Sequence, residues 1–338
     1  MTHNSLSNYG LTWEKNKEMN VGIEFGIFNK LRGTVEYFDR NTDGLLLDRP
    51  LAPSVGFTTK LENIGAMNNR GFEVELRSTN ITAKNFVWLT DFNVSHYKNK
   101  ITALSQPEII NTNKRWVVGN SLYEWYLREY AGVDQADGSA MWYKDVMDVN
   151  GDATGERVTT KNYSEASRYE LGKSIPDYYG SITNTFTLFK DISFSFQLYW
   201  SLGGKIYNSL MEQNMNDGTR YGLQLNKKVL ESWRKPGDIT DVPQFIYSNA
   251  SQSNAISSRF LEDGSFMRLR NVNLSYSLPK SLINKIKLEA ASVFINGDNI
   301  FVLTKYEGND PEQGLSGTTT TNLVPNVRTV TFGVNISF

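Results

Sequence analysis

Residues 327–338, V-R-T-V-T-F-G-V-N-I-S-F, constrain this chain more than any other stretch. Val330, Phe332, Val334, Ile336 and Phe338 fall on one parity, and Thr329, Thr331, Gly333, Asn335 and Ser337 on the other. Period two is the signature of a strand with one apolar and one polar face. A strand half buried on a soluble core would alternate in the same way. A lipid-crossing strand, however, needs about nine to eleven residues at a tilt, and this segment supplies that length. The remaining sequence therefore has to be read for whether it, too, behaves as barrel wall.

A hydrophobic content of 39% and a mean hydropathy of -0.42 look soluble, but they suit a barrel equally, because only alternate strand residues face lipid. No stretch approaches about eighteen consecutive apolar residues, so transmembrane helices are not expected. Tyr 17, Phe 18 and Trp 7 are numerous enough for interfacial girdles or for sugar-stacking surfaces. Lys+Arg 35 against Asp+Glu 36 leaves no basic footprint for nucleic acid. The absence of cysteine excludes disulfide and thiolate chemistry. The opening M-T-H-N-S-L-S-N-Y-G has neither a basic nor an apolar region of a signal peptide.

Taken in order, the alternation recurs. Val21, Ile23, Phe25 and Ile27 oppose Gly22, Glu24 and Gly26, and after a tight turn at Asn29 and Lys30 the chain returns through Leu31, Gly33, Val35 and Tyr37. A polar, Pro-containing stretch over 48–69 precedes Phe72, Val74 and Leu76, which alternate with Glu73, Glu75 and Arg77. Phe86, Trp88, Phe92 and Val94 follow, then Ile182, Phe186 and Leu188, then Ile192 to Trp200, then Val272 to Leu278. Alternation over 287–296 is poor. Long segments near 97–178, 202–264 and 298–326 separate pairs joined by short turns. Outer-membrane barrels keep one set of turns short and the extracellular loops long, whereas sandwiches and propellers do not. About nine strands with ends on opposite sides cannot close a standard barrel, so the chain reads as all-β and as the carboxyl-terminal portion of a larger transmembrane antiparallel β-barrel.

Several stretches resemble the SusC/RagA family of TonB-dependent outer-membrane transporters. They include L-T-W-E-K at 11–15, N-V-G-I-E-F at 20–25, V-E-Y-F-D-R-N-T at 35–42 and N-R-G-F-E-V-E-L at 69–76. S-R-F-L-E-D-G-S-F-M-R-L-R-N-V-N-L-S-Y-S-L-P at 258–279, N-G-D-N-I-F at 296–301 and K-Y-E-G-N-D-P-E at 305–312 resemble it closely. The resemblance implies a barrel of roughly twenty-two strands with a plugged lumen. It also implies import of oligosaccharide or peptide nutrients, a SusD-like surface lipoprotein partner and energy from the TonB complex. The family's signal peptide, plug and first barrel half are not read here. The terminal aromatic strand resembles the signal read by the barrel assembly machinery, which makes Phe338 the candidate assembly residue.

Candidate chemistry falls in the long loops. Trp116, Trp125 and Tyr126 belong to a ring-rich segment suited to stacking on glycan rings, and equally to packing the loop on itself. Asp148, Asn150 and Asp152 have the spacing that opens a calcium loop, although Ala153 stands where such a loop wants Gly and Thr159 where it wants Glu. The alternative is a polar surface turn. Leu225, Val229 and Trp233 at fourfold spacing predict a loop helix over 221–233. Glu73, Glu75 and Arg77 are expected on the lumen face. His3 and His96 are the only histidines and no catalytic motif is present, so an enzyme is not expected. From a different functional class, a secreted or surface all-β glycan-binding protein remains open.

Overall fold

The computed structural model describes residues 6–220, 222–248, 251–284, 288–319 and 324–338. His3, Tyr221, Lys287 and parts of the second and third long segments lie outside the described residues. Among those residues, nine strands form one antiparallel sheet: β1 (Lys15–Ile27), β2 (Leu31–Pro50), β3 (Thr59–Ala83), β4 (Phe86–Leu104), β5 (Tyr178–Leu188), β6 (Ile192–Leu202), β7 (Phe266–Ser277), β8 (Ala290–Thr304) and β9 (Thr329–Ser337). Each pairs with the next in sequence, and β1 and β9 are the sheet's edges.

Register joins the apolar parities into one continuous face. Ile23 pairs with Val35, Val35 with Val74 and Val74 with Val94. Farther along, Trp88 pairs with Phe186, Phe186 with Phe194, Phe194 with Leu274, Leu274 with Ile295 and Ile295 with Phe332. The opposite face is polar, as in the row Glu24, Thr34, Glu75 and Asn93. Glu73, Glu75 and Arg77 lie on this polar face, where Arg77 approaches Asp91 at 3.4 Å. Large side chains are bare on the apolar face, Phe332 being 76% exposed. So wide an apolar sheet face is what lipid contact requires and what water disfavours.

Short connections lie at one end of the sheet. The first turn spans 28–30, so it contains the predicted Asn29 and Lys30 and begins one residue earlier; Phe28 and Asn29 have positive φ, as do Phe189 and Lys190 in the β5–β6 turn. Two successive left-handed residues match the right-handed twist of the strands they join. Within the wall, strands approach so closely at Gly180 that an added Cβ would stand 2.2 Å from the Asn93 carbonyl oxygen.

Two expectations are corrected at the other end. The stretch 48–69 is mostly strand, because β2 runs to Pro50 and β3 starts at Thr59, and β4 continues to Leu104. Register shifts near Gly44 and Ala66 break the parity there and hide the strands from a period-two reading. Strands of 20, 25 and 19 residues exceed the length that crosses a bilayer, so their outer parts serve as scaffold. On that scaffold Ile101 packs with Ile109 and Trp116.

The first long connection is built of strands rather than irregular. It contains a four-stranded sheet, built from Glu108–Asn111, Lys114–Val117, Glu124–Arg128 and Arg168–Lys173. It also contains a three-stranded sheet of Tyr130–Val133, Ala140–Met147 and Ala153–Thr160. In the second, the helix expected over 221–233 is reduced to a short 3-10 turn at Lys227–Glu231. Leu225 is exposed, and the Trp233 amide pairs instead with the Val242 carbonyl. Trp125 and Leu127 from the first connection join Tyr207, Met211, Met215, Val242 and Phe260 from the second in one apolar cluster. The third is tied to the same place, since Tyr207 N donates to Gly317 O and Thr319 N to Tyr207 O. The three connections thus form a single cap.

Candidate functional site

Where the cap meets the polar face, a cavity of about 300 Å³ is lined by Tyr97, Tyr179, Tyr199 and Phe266, from four successive strands, and by the 311–315 segment of the third connection. The tyrosines converge because they share the polar parity. Tyr179 pairs with Ser95, two residues from Tyr97, and Tyr199 pairs with Arg268. Tyr97 and Tyr179 meet edge to face at 6.4 Å, and Tyr199 lies 5.8 Å from Phe266. Gly203, Gly204, Gly264, Gly314 and Gly317 complete much of the lining and keep its walls thin. A ring-shaped, hydrogen-bonding guest suits such walls, since tyrosine offers an apolar face and a polar edge.

The segment closing this cavity is held by two arginines. A bulge in β7 leaves Arg270 unpaired, with Leu269 opposite Leu198 and Asn271 opposite Gln197. The extra residue lets Arg268, Arg270 and Asn271 all serve the polar face. Arg268 Nη2 lies 2.5 Å from Asp310 Oδ1, with both side chains buried. Arg270 Nη2 lies 2.5 Å from Glu312 Oε1, and its guanidinium sits 4.2 Å from the Tyr199 ring centre. Asp310 also accepts the amides of Glu312 and Asn326. On the far side Ser174 Oγ donates to Leu315 O at 2.6 Å. Among the described residues, Glu312 is the one carboxylate lining the cavity, and it is occupied by its arginine partner.

The aromatic residues predicted from sequence sit elsewhere. Trp125 is 1% exposed, donates its indole N–H to Lys205 O at 3.0 Å and carries the Lys114 ammonium 3.2 Å from its ring centre. Trp116 is also buried and donates to Leu122 O. Neither ring has a free face for a sugar, so both act as anchors of the cap. Tyr126 is half-buried beside the Arg115 guanidinium. Burial pushes the Lys114 ammonium down to about 7, opposed by the Glu124 carboxylate nearby. The tyrosines of the cavity were open to inference as tyrosines on the polar parity of three strands, but parity alone does not bring them under one cap.

Asp148 closes the hairpin between Ala140–Met147 and Ala153–Thr160. Its Oδ1 accepts the amides of Asn150 at 2.8 Å and Asp152 at 2.9 Å. These hydrogen bonds hold its carboxyl below the usual range, the Asp152 amide being the larger cause. Asp148, Asn150 and Asp152 form an Asx turn, with backbone N–H donors on Asp148 Oδ1. Among the described residues, no three His, Cys, Asp or Glu side chains converge as metal ligands. Phe338 follows the last residue of β9 and is 88% exposed.

A family model described as TonB dependent receptor-like, beta-barrel, matches residues 2–300. TonB-dependent receptor P3 of Formosa agariphila is 30% identical across 98% of this chain, which covers 35% of that protein. TonB-dependent receptor SusC of Bacteroides thetaiotaomicron is 25% identical across 98% of the chain, which covers 32% of it. The solved structure of the RagAB peptide transporter superposes with a TM-score of 0.84 at 28% identity, over 98% of this chain and 36% of that one. The chain spans about a third of the length of the curated relatives it matches.

Proposed function

Because this chain belongs to the TonB-dependent receptor-like β-barrel family, we propose that it supplies wall and extracellular cap to an outer-membrane transporter that imports oligosaccharide or peptide nutrients. The observation carrying the reading is the two-faced sheet: a continuous apolar face for lipid, and a polar lumen face whose mouth is roofed by one cap over the tyrosine cavity. The breadth of bare apolar surface speaks against the soluble glycan-binding alternative.

In this reading the long connections are extracellular and Tyr97, Tyr179 and Tyr199 contact substrate on its way inward. A SusD-like lipoprotein sits over the cap, TonB acts through regions beyond the span matched here, and the barrel assembly machinery reads the strand ending at Phe338. Uptake of a panel of oligosaccharides and peptides by cells carrying or lacking the intact gene tests this. Loss of at least one class on disruption, restored by the wild-type gene and cut about tenfold or more by Tyr199→Ala, is expected from removal of a stacking ring worth about 1–1.5 kcal/mol and its hydrogen bond. Unchanged uptake on disruption would overturn the proposal.

A further inference from the structure

Toward the short turns, the apolar face carries a polar island built around Asn184. Ser78 Oγ donates to Asn80 Oδ1 at 2.8 Å, Asn80 Nδ2 donates to Thr90 Oγ1 at 2.7 Å, and Thr90 Oγ1 donates to Asn184 Oδ1 at 2.7 Å. Trp88 Nε1 donates to the same Asn184 Oδ1 at 2.9 Å. Ser78, Thr90 and Asn184 stand side by side on β3, β4 and β5, in a row continued on the apolar face by Phe196 and Val272. A register shift after Thr79 brings Asn80 to the row.

The indole N–H can only donate, so the atom it meets on Asn184 is the carbonyl oxygen and the orientation of that amide is fixed. All the donors of the island run toward Asn184 Oδ1, which leaves the Asn184 NH2 at the end of the chain. It has no acceptor among the described residues, although Asn184 is only 9% exposed. It is not one of the side-chain atoms sealed inside the fold. In hydrocarbon, two N–H groups without acceptors cost several kcal/mol. Something carrying an acceptor oxygen has to meet them.

Depth identifies it. Asn184 lies four residues from the end of β5 at Leu188, about 13 Å along the strand, or about 10 Å of height at a tilt of roughly 40°. That is the half of an apolar band about 25 Å tall that lies nearer the short turns. On the same side Phe186 stacks on Trp88 and is itself flanked by Phe86 and Phe194, and Trp rings settle at headgroup level. We infer that the Asn184 amide, with Trp88 and Thr90 behind it, is a binding site for a phospholipid of the leaflet next to the short turns, taking an acyl-ester carbonyl oxygen, the deepest-lying polar atom of that lipid, as acceptor. This rests on the apolar face being lipid-facing.

The test is native mass spectrometry of the intact transporter during stepwise delipidation with added phosphatidylethanolamine. Asn184→Leu should lower retention of the last bound phospholipid at least fivefold, while Val334→Leu, on the same face four strands away on β9, leaves it unchanged. Equal retention in wild type and Asn184→Leu would overturn the inference. A cryo-EM map of the wild-type protein in phosphatidylethanolamine nanodiscs removes dependence on variant folding. Acyl-ester density within about 3 Å of Asn184 Nδ2 is expected. Acyl chain alone there, or lipopolysaccharide in its place, would overturn the inference, whereas no lipid along the whole apolar face would overturn the membrane reading on which it rests.

Discussion

Replacing Arg268 by alanine leaves Asp310 buried without its counter-charge. The two side chains are 3% and 6% exposed and 2.5 Å apart, and removing one partner of a buried pair costs about 3–5 kcal/mol. Asp310 keeps the amides of Glu312 and Asn326, which places the cost near 3 kcal/mol at the lower end of that range. The Arg270 and Glu312 side chains are 38% and 33% exposed, and a pair so open to solvent contributes about 0.2–1 kcal/mol. The assay is amide hydrogen exchange at Tyr207 and Thr319, whose N–H groups bond to Gly317 O and Tyr207 O and so report opening of the closing segment. Arg268→Ala should speed their exchange about 150-fold, the equivalent of about 3 kcal/mol, while Arg270→Ala speeds it less than about fivefold. The double variant Arg268→Met, Asp310→Leu should recover most of the loss, because apolar groups of similar volume replace the pair without leaving a charge. A change below about threefold in Arg268→Ala, or a larger change in Arg270→Ala, would refute the reasoning.

Other consequences are separable from this one. The depressed pKa of Lys114 means that the folded cap binds fewer protons than the unfolded chain between about 7 and the ordinary lysine range. Cap stability should therefore rise with pH across that window, be fully present above the ordinary lysine value and be lost as pH falls through about 7; melts followed by Trp125 fluorescence should show the slope, and Lys114→Met should flatten it. Gly180→Ala places a Cβ 2.2 Å from the Asn93 carbonyl oxygen and 3.0 Å from the Trp200 ring, an overpacking cost of about 1–3 kcal/mol or more, visible as less of the heat-modifiable folded band on gels. Calcium or EDTA should leave melting of the cap unchanged, because backbone amides already occupy Asp148 Oδ1.

The wall was legible in the sequence and the cap was not, for one physical reason. Between Val330 and Phe338, or Ile192 and Trp200, lipid on one side and water on the other impose parity residue by residue, so the pattern is local. Beyond the membrane, β2, β3 and β4 lose that constraint; bulges near Gly44 and Ala66 shift parity, and Ile101 is buried by Trp116 from another segment. The resemblance stretches carry meaning that spacing cannot show: M-R-L-R and N-D-P-E are the two sides of the arginine clasp, joined across 42 residues. Trp125 illustrates the limit, since a ring in a loop reads as available until Lys205 and Tyr207 are folded over it.

The central claim, a lipid-facing and a lumen-facing side alternating along every wall strand, is tested most directly on β9. The chain itself contributes no cysteine, so single cysteines at each position of 329–337 can be spin-labelled in the membrane-inserted transporter once any cysteine elsewhere in it is replaced by serine. Oxygen accessibility should peak at 330, 332, 334 and 336, and accessibility to a water-soluble nickel complex should peak at 329, 331, 333, 335 and 337. Uniform accessibility to both reagents, or maxima on the same positions, would contradict the account.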